Sequence, residues 1–230
     1  MAATPHDACS VPRLLVSVRD AAEARLAAEA GADLVDAKDP EDGPLGALPP
    51  EHVSAILAAV AGRALTSAVA EPQAVAAMAG TGADYVKVAA GPLLREGGLA
   101  DAASAARGRL VAVLFAEDGI PPGAVVAVAA AGCTGAMLDT RGKAGRRLTD
   151  LLGRAELTGF VAACREARLL CGLAGSLALS DIPTLTALGP DYLGFRGGLC
   201  FGSDRRGGLD PERVREAAER LRAPARSDAA

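Results

Sequence analysis

Short apolar segments alternate with longer, alanine-rich segments of helical periodicity along the whole chain. The apolar segments have the length and aliphatic content of buried β-strands, and the alanine-rich segments space their apolar positions as amphipathic helices do. The eight strand candidates are LLVSV from Leu14, DLVDAK from Asp33, ALTSAV from Ala64, DYVKVAA from Asp84, LVAVLFA from Leu110, GAMLD from Gly135, RLLCGLAG from Arg168 and DYLGFRGG from Asp191. Strand and helix recur roughly every 25 to 30 residues, a period typical of βα units.

Eight consecutive βα units predict a single (β/α)8 barrel, the TIM barrel of the α/β class. The segments EAGADLVDAK, GTGADYVKVA and ALGPDYLGFR resemble one another, which favours equivalent units in one closed array. The alternative is an open, doubly wound sheet, but no GxGxxG sequence follows the first strand. Asp20, Ser180 and Asp210 are the predicted N-caps of three helices.

The composition is that of one large domain with a core of small and branched side chains. Half of the 230 residues are hydrophobic, but only 3% are aromatic and there is no tryptophan. We expect a catalytic domain over residues 12–222, with disordered tails at residues 1–11 and 223–230.

Charge and hydropathy exclude several classes of protein. The net charge is −4 and the pI is about 5.3, so a nucleic-acid partner, which needs a basic surface, is not expected. No run of about 20 apolar residues predicts a membrane span, and the first residues lack a signal-peptide pattern. We therefore expect a cytoplasmic protein.

Metal and disulfide chemistry are not expected. The five cysteines are an odd number and lack CxxC spacing, which argues against a zinc site and against a disulfide framework. The two histidines, His6 and His52, lie in the N-terminal segment and in a helical first turn, where neither is placed as a ligand or general base. The chemistry must therefore come from lysines, carboxylates, arginines and backbone groups.

Lysine usage points to that chemistry. The chain has three lysines among its 24 basic residues, Lys38, Lys87 and Lys143, and all lie in or just after strand candidates. An amine can lose its proton and attack a carbonyl carbon, whereas a guanidinium stays charged. Codon bias explains the excess of arginine, but it does not explain why the lysines avoid the helices.

Four of the charged residues are predicted to meet inside the barrel. Alternation along a strand places Asp36 and Lys38 on one face of the second strand, and it gives Lys87 and Asp139 the equivalent faces of the fourth and sixth strands. Alternate strands fill common layers of a barrel, so these side chains converge at its carboxyl end. Lys143 follows in the loop DTRGKAG and is expected to fold over the same cavity.

The cluster has two interpretations. Burial and neighbouring cations lower a lysine pKa and expose a neutral nucleophilic amine, while the carboxylates move protons. The alternative is an internal lattice of ion pairs without chemistry, but buried ion pairs are poor stabilisers.

The last two units predict a phosphate site, because loops after strands seven and eight of TIM barrels often bind phosphate through backbone N–H groups. The candidates are Gly172, Gly175 and Ser176 at the end of strand seven, with Arg196, Gly197 and Gly198 at the end of strand eight. Arg19, at the end of strand one, is a further candidate at the mouth. Glu117 and Asp118 end strand five and are interpreted as a solvated loop pair.

The segments LLVSVRDAAEA, GADLVDAKDPEDGPLGA, DYVKVAAG, MLDTRGKAG, GLAGSL and DYLGFRGGLC resemble the (5-formylfuran-3-yl)methyl phosphate synthases. The resemblance covers roughly residues 12 to 222, and DAKDP and LDTRGKAG are its most specific parts. It implies a TIM-barrel carbon–oxygen lyase that joins two glyceraldehyde 3-phosphate molecules, with loss of phosphate and water and without an organic cofactor. It also implies a role in the biosynthesis of methanofuran-type carriers in C1 metabolism.

The resemblance also implies roles for individual residues. Lys38 matches the Schiff-base lysine of the family, and Asp36 matches the neighbouring acid. Lys87, Asp139 and Lys143 match charged residues attributed to proton transfer and phosphate handling. Any further active-site lysine of lysine-rich relatives has no counterpart here.

Three other functions stay open on sequence grounds. They are a class I Schiff-base aldolase acting on sugar phosphates, an isomerase that uses only acid–base chemistry, and a non-catalytic barrel that binds a phosphorylated metabolite. In each case the partner is a small phosphorylated molecule. The sequence does not decide whether the chain forms a homo-oligomer.

Overall fold

The strands form a closed barrel in the computed structural model, which describes residues 11–142 and 145–223. They are β1 (Arg13–Val18), β2 (Leu34–Ala37), β3 (Leu65–Val69), β4 (Tyr85–Ala89), β5 (Leu110–Phe115), β6 (Gly135–Asp139), β7 (Leu170–Leu173) and β8 (Tyr192–Phe195). Each strand pairs in parallel with the next in chain order, and β1 pairs in parallel with β8. This closure confirms the TIM barrel and rules out the open sheet.

Helices follow the strands and cover the outside of the barrel. They are α1 (Ala21–Glu29), α2 (Pro50–Val60), α3 (Val75–Gly80), α4 (Ala90–Glu96), α5 (Leu99–Ala105), α6 (Ala124–Ala130), α7 (Leu148–Leu151), α8 (Arg154–Glu166), α9 (Ile182–Thr186) and α10 (Pro211–Arg222). Among the described residues, none of these helices has the length and apolar character that a bilayer span requires. The predicted tails fall outside the described residues, apart from Val11 and Ala223.

Two of the three predicted helix caps are confirmed. Asp20 accepts a hydrogen bond from the Glu23 N–H at 2.9 Å, and Asp210 accepts one from the Glu212 N–H at 3.0 Å. The prediction for Ser180 is wrong, because this residue lies inside a short 3-10 turn before α9. The carboxylate of Asp181 stabilises that turn instead, because it accepts a hydrogen bond from the Ala178 N–H, which the turn leaves free.

The barrel has two apolar layers, and the alternation predicted for β2 and β4 holds. Val35 and Val86 belong to the outer layer between strands and helices, whereas Leu34 belongs to the inner layer. The inner layer is small, and a polar cluster lies above it. At the amino-terminal end only a cavity of about 10 Å³ remains, with Lys87 among its lining residues.

Gly172 lies in β7 with its Cα against the ring of Tyr192. A Cβ at this position would come within 2.2 Å of the Tyr192 Cζ atom, and both residues are buried. The Tyr192 ring therefore fits inside the barrel because Gly172 has no side chain.

We predict that Gly172→Ala lowers the free energy of unfolding by about 1–3 kcal/mol, because the added methyl group overpacks the barrel interior. Denaturant unfolding measures this change. The matched control is Gly159→Ala in α8, where the site is exposed and a Cβ would meet no atom within 4 Å. That control should stabilise by about 0.5–1 kcal/mol, and an equal, neutral result for both variants would contradict the packing role of Gly172.

Candidate active site

A cavity of about 440 Å³ opens at the carboxyl ends of the strands. Lys38, Lys87 and Asp139 line it, so the structure brings these three predicted residues together. Asp36 lies directly beneath and has no exposed surface. Lys143 falls outside the described residues.

Asp36 is the centre of a buried polar cluster. Its Oδ2 accepts hydrogen bonds from the Ser17 hydroxyl at 3.0 Å and lies 2.6 Å from the Lys87 Nζ. Its Oδ1 accepts from the Ser67 hydroxyl at 2.6 Å. Asp36 is aligned with Ser17 of β1 and Ser67 of β3 in the strand register, so the sheet itself sets this geometry.

This surrounding keeps Asp36 ionised. Burial would raise the pKa of Asp36, but the charges of Lys87 and Lys38 and the hydrogen bonds from Lys87 and Ser67 lower the pKa of this carboxyl overall. The Lys87 side chain is only 3% exposed. A charged pair at this depth is retained because each partner would be unstable there alone.

Lys38 follows β2 directly, and its surroundings differ from those of Lys87. Its N–H donates to the Val18 carbonyl at 3.0 Å, so the backbone continues the barrel ladder and fixes where the side chain starts. Within the described parts of the chain, no carboxylate oxygen lies within 4.0 Å of the Lys38 amine. The amine therefore forms no ion pair with a described residue.

The electrostatics of the cavity favour a neutral amine at Lys38. Burial lowers the pKa of Lys38, and the charges of Lys87 and Arg205 lower it further, while Asp139 and Asp36 only partly compensate. Burial also raises the pKa of Asp139, against the attraction of Lys38 and Lys87. The site thus combines an amine whose pKa is lowered with a carboxyl whose pKa is raised.

Two glycine turns border the cavity: residues 175–177 after β7 and Gly197–Leu199 after β8. Gly175 has φ +112°, and a Cβ there would lie 2.5 Å from the Thr140 Cγ2. A Cβ on Gly198 would lie 2.4 Å from the Leu177 carbonyl oxygen. Both positions therefore require glycine, which keeps the backbone exposed to the cavity.

The backbone N–H groups of these turns are available to a ligand. No described residue accepts a hydrogen bond from the N–H of Gly175, Ser176, Gly197 or Gly198. Successive free N–H groups in a turn form a concavity that binds anions. The turns are thus suited to a phosphate group.

Three predicted phosphate ligands occupy other surroundings. Gly172 packs against Tyr192 below the cavity, and Arg19 is exposed and donates to the Arg206 carbonyl at 2.7 Å. Arg196 borders the cavity, but its guanidinium is fully engaged. It pairs with Glu23 and donates to the carbonyls of Ser17, Arg205 and Gly207. Arg196 therefore holds the β8 turn in place and has no N–H left for a phosphate.

Glu117 and Asp118 hold the loop after β6 and do not line this cavity. The Arg141 N–H donates to Glu117 Oε1 at 2.8 Å, and the Arg141 guanidinium donates to Asp118 at 2.8 Å. Arg141 also stacks over the Phe115 ring at 4.5 Å. The described residues contain no cluster of three His, Cys, Asp or Glu side chains that could hold a metal ion.

Sequence reasoning missed several residues of the site: Ser67 beneath it, and Ser17, Thr140, Arg147 and Arg205 in its lining. The two serines share the inward face and the level of Asp36, so strand alignment would have identified them. The two arginines are in loops, where no periodicity indicates direction.

The chain is similar in sequence to known proteins and in fold to solved structures. The 4-HFC-P synthase family model matches residues 14–218. A Methylorubrum extorquens protein provisionally named (5-formylfuran-3-yl)methyl phosphate synthase is 56% identical over 226 residues, or 95% of each chain. The (5-formylfuran-3-yl)methyl phosphate synthase of Methanopyrus kandleri is 37% identical, covering 91% of this chain and 99% of its own. KGPDC from Streptococcus mutans shares the fold, with a TM-score of 0.69 at 13% identity over 92% of this chain and 98% of its own.

We predict that Lys38 is the first lysine to react when the protein is treated with a small aldehyde and cyanoborohydride at about pH 7 to 8. A lowered pKa leaves a larger fraction of the Lys38 amine neutral at that pH, whereas Lys87 is buried against Asp36. Peptide mass spectrometry distinguishes the three lysines. Preferential labelling of Lys87, or no labelling of Lys38 below about pH 10, would contradict the electrostatic account.

Proposed function

The chain belongs to the 4-HFC-P synthase family, and we propose that it makes (5-formylfuran-3-yl)methyl phosphate from two molecules of glyceraldehyde 3-phosphate. The reaction is that of a carbon–oxygen lyase, and its product serves the synthesis of methanofuran-type carriers. The names of the relatives support the product. The cavity supports a substrate of this kind, because it combines amines, carboxylates and an anion-binding backbone.

The observation that carries the proposal is the environment of Lys38. Its amine lines the cavity with no carboxylate oxygen of a described residue within 4.0 Å, and its pKa is lowered chiefly by burial. A neutral amine in an enclosed site adds to an aldehyde carbon. Asp139, whose carboxyl has a raised pKa, donates the proton with which the carbonyl oxygen leaves as water.

The resulting iminium group acidifies the neighbouring carbon. A base removes that proton, and the electron pair of the C–H bond forms an enamine. Lys87 and Asp36 hold a fixed positive and a fixed negative charge below this carbon, which limits the reorganisation that charge movement requires. The enamine carbon then attacks the second aldehyde and forms the new carbon–carbon bond.

Elimination and ring closure complete the furan. Two triose phosphates contain the atoms of the product, one phosphoric acid and two waters, so the sequence needs no oxidant or reductant. Aromatisation makes the late steps favourable. The two glycine turns hold the phosphate that remains in the product, because their free N–H groups are suited to an oxygen-rich dianion.

We predict that the purified protein converts glyceraldehyde 3-phosphate into a product with furan ultraviolet absorbance. Borohydride should trap a substrate adduct on Lys38. Lys38→Ala should lower kcat/KM by at least about a thousandfold, which corresponds to about 4 kcal/mol of transition-state stabilisation.

Lys38→Arg is the matched variant, because it keeps the charge and removes the nucleophile. It should be as inactive as Lys38→Ala. An aldol product without furan absorbance would replace the proposal with a class I aldolase. Turnover without a trappable adduct would replace the Schiff base with acid–base isomerisation, and full activity of Lys38→Ala would exclude Lys38 as the nucleophile.

A further inference from the structure

The cations that line the cavity differ in whether a carboxylate neutralises them. Three of those in the described part of the chain have a carboxylate oxygen within 4.0 Å: Lys87 with Asp36, Arg196 with Glu23, and Arg147 with Asp150 and Asp181. Lys38 and Arg205 also line the cavity and have no such partner among the described residues. Lys38 is accounted for as the nucleophile, so Arg205 is the cation whose charge is unexplained.

Arg205 extends along the mouth of the cavity. Its Cβ lies 3.6 Å from the position of a Cβ built on Gly197, which places its origin beside the β8 turn. At its far end the guanidinium donates to the Gly43 carbonyl in the loop after β2. One guanidinium nitrogen lies 3.5 Å from a Cβ built on Gly142, in the loop after β6. The charged group therefore reaches two other loops of the mouth.

The bond from Arg205 to Gly43 is the only side-chain hydrogen bond that the described structure gives this residue, and its acceptor is a neutral carbonyl. A guanidinium has five N–H donors, so several remain free. Two of them in parallel match the oxygens of a phosphate monoester, and such charge-assisted pairs are stronger than bonds to neutral acceptors.

We propose that Arg205 forms a second phosphate subsite, which binds the phosphate group that is eliminated. This inference rests on the proposed function, in which two phosphorylated trioses occupy one cavity. Two phosphate dianions repel each other, so they need separate sites. The glycine turns offer neutral N–H groups for the phosphate that stays, and Arg205 offers a full charge for the one that leaves.

A cation is suited to the departing group because negative charge grows there. The carbon–oxygen bond to the phosphate breaks and its electron pair leaves with the phosphate oxygen. The C–H bond on the neighbouring carbon supplies the electrons of the new double bond, and its proton goes to a base. Arg205 stabilises the charge on the departing oxygen without itself gaining or losing a proton.

The variants are Arg205→Gln, which removes the charge, and Arg205→Lys, which keeps it. The control is Arg206→Gln, because Arg206 is the adjacent arginine, is 67% exposed and pairs with Glu41 at 3.2 Å outside the cavity. Titration calorimetry with inorganic phosphate should find two sites in the wild-type protein and one in Arg205→Gln. Arg205→Lys and Arg206→Gln should retain both sites.

The kcat values of the variants should parallel their phosphate binding. Arg205→Gln should lower kcat about a hundredfold or more, while Arg206→Gln leaves kcat unchanged and Arg205→Lys recovers part of the loss. Borohydride should still trap the first triose on Lys38 in Arg205→Gln. The proposal is overturned if Arg205→Gln keeps both phosphate sites, or if Arg205→Lys and Arg205→Gln fail equally with equal loss of thermal stability, which would make Arg205 only a support for the β2 loop. The phosphate stoichiometry decides this even if the wild-type protein makes no furan.

Discussion

The ion pair between Asp36 and Lys87 is the interaction on which the site depends. It lies inside a closed barrel, and the hydroxyl groups of Ser17 and Ser67 donate further hydrogen bonds to the Asp36 carboxylate. Because Asp36 is already committed to these three donors, it offers Lys38 only distant attraction, while the charge of Lys87 repels a second ammonium group. The same pair that is costly to bury therefore distinguishes the two lysines: Lys87 has a carboxylate partner, whereas the pKa of Lys38 is lowered.

The candidate reactive groups and the candidate phosphate-binding groups lie on different elements of the barrel. Lys38, Lys87 and Asp139, which we propose for covalent and proton-transfer chemistry, lie in or directly after strands, where register fixes their separation. The backbone N–H groups that we propose for phosphate binding lie in the turns after β7 and β8, which border the cavity. Arg196 links these two regions, since its guanidinium joins the β8 turn to Glu23 of α1 and to the end of β1. A residue that looks like a phosphate ligand is thus used to position backbone that can bind phosphate.

Period-two alternation was enough to predict which faces of β2 and β4 point inward, because a closed barrel admits one arrangement of each strand. It was not enough to predict Asp36 as a hub, since that depends on which residues of β1 and β3 stand at its level. Gly172 and Gly175 look alike in sequence, yet one makes room for Tyr192 and the other lets the β7 turn approach Thr140. Arg147 and Arg205 could not be predicted as cavity-lining residues, because a loop sequence has no periodicity that indicates where its side chains point.

The most direct measurement is an NMR titration of the lysine side chains with carbon-13 at the ε position. Three lysines give three resonances, and Lys38→Arg removes one and assigns it. Our account predicts that the Lys38 resonance titrates well below the ordinary lysine value of about 10.4. A Lys38 resonance that titrates at or above that value would contradict the claim that the buried pair leaves this amine neutral and nucleophilic.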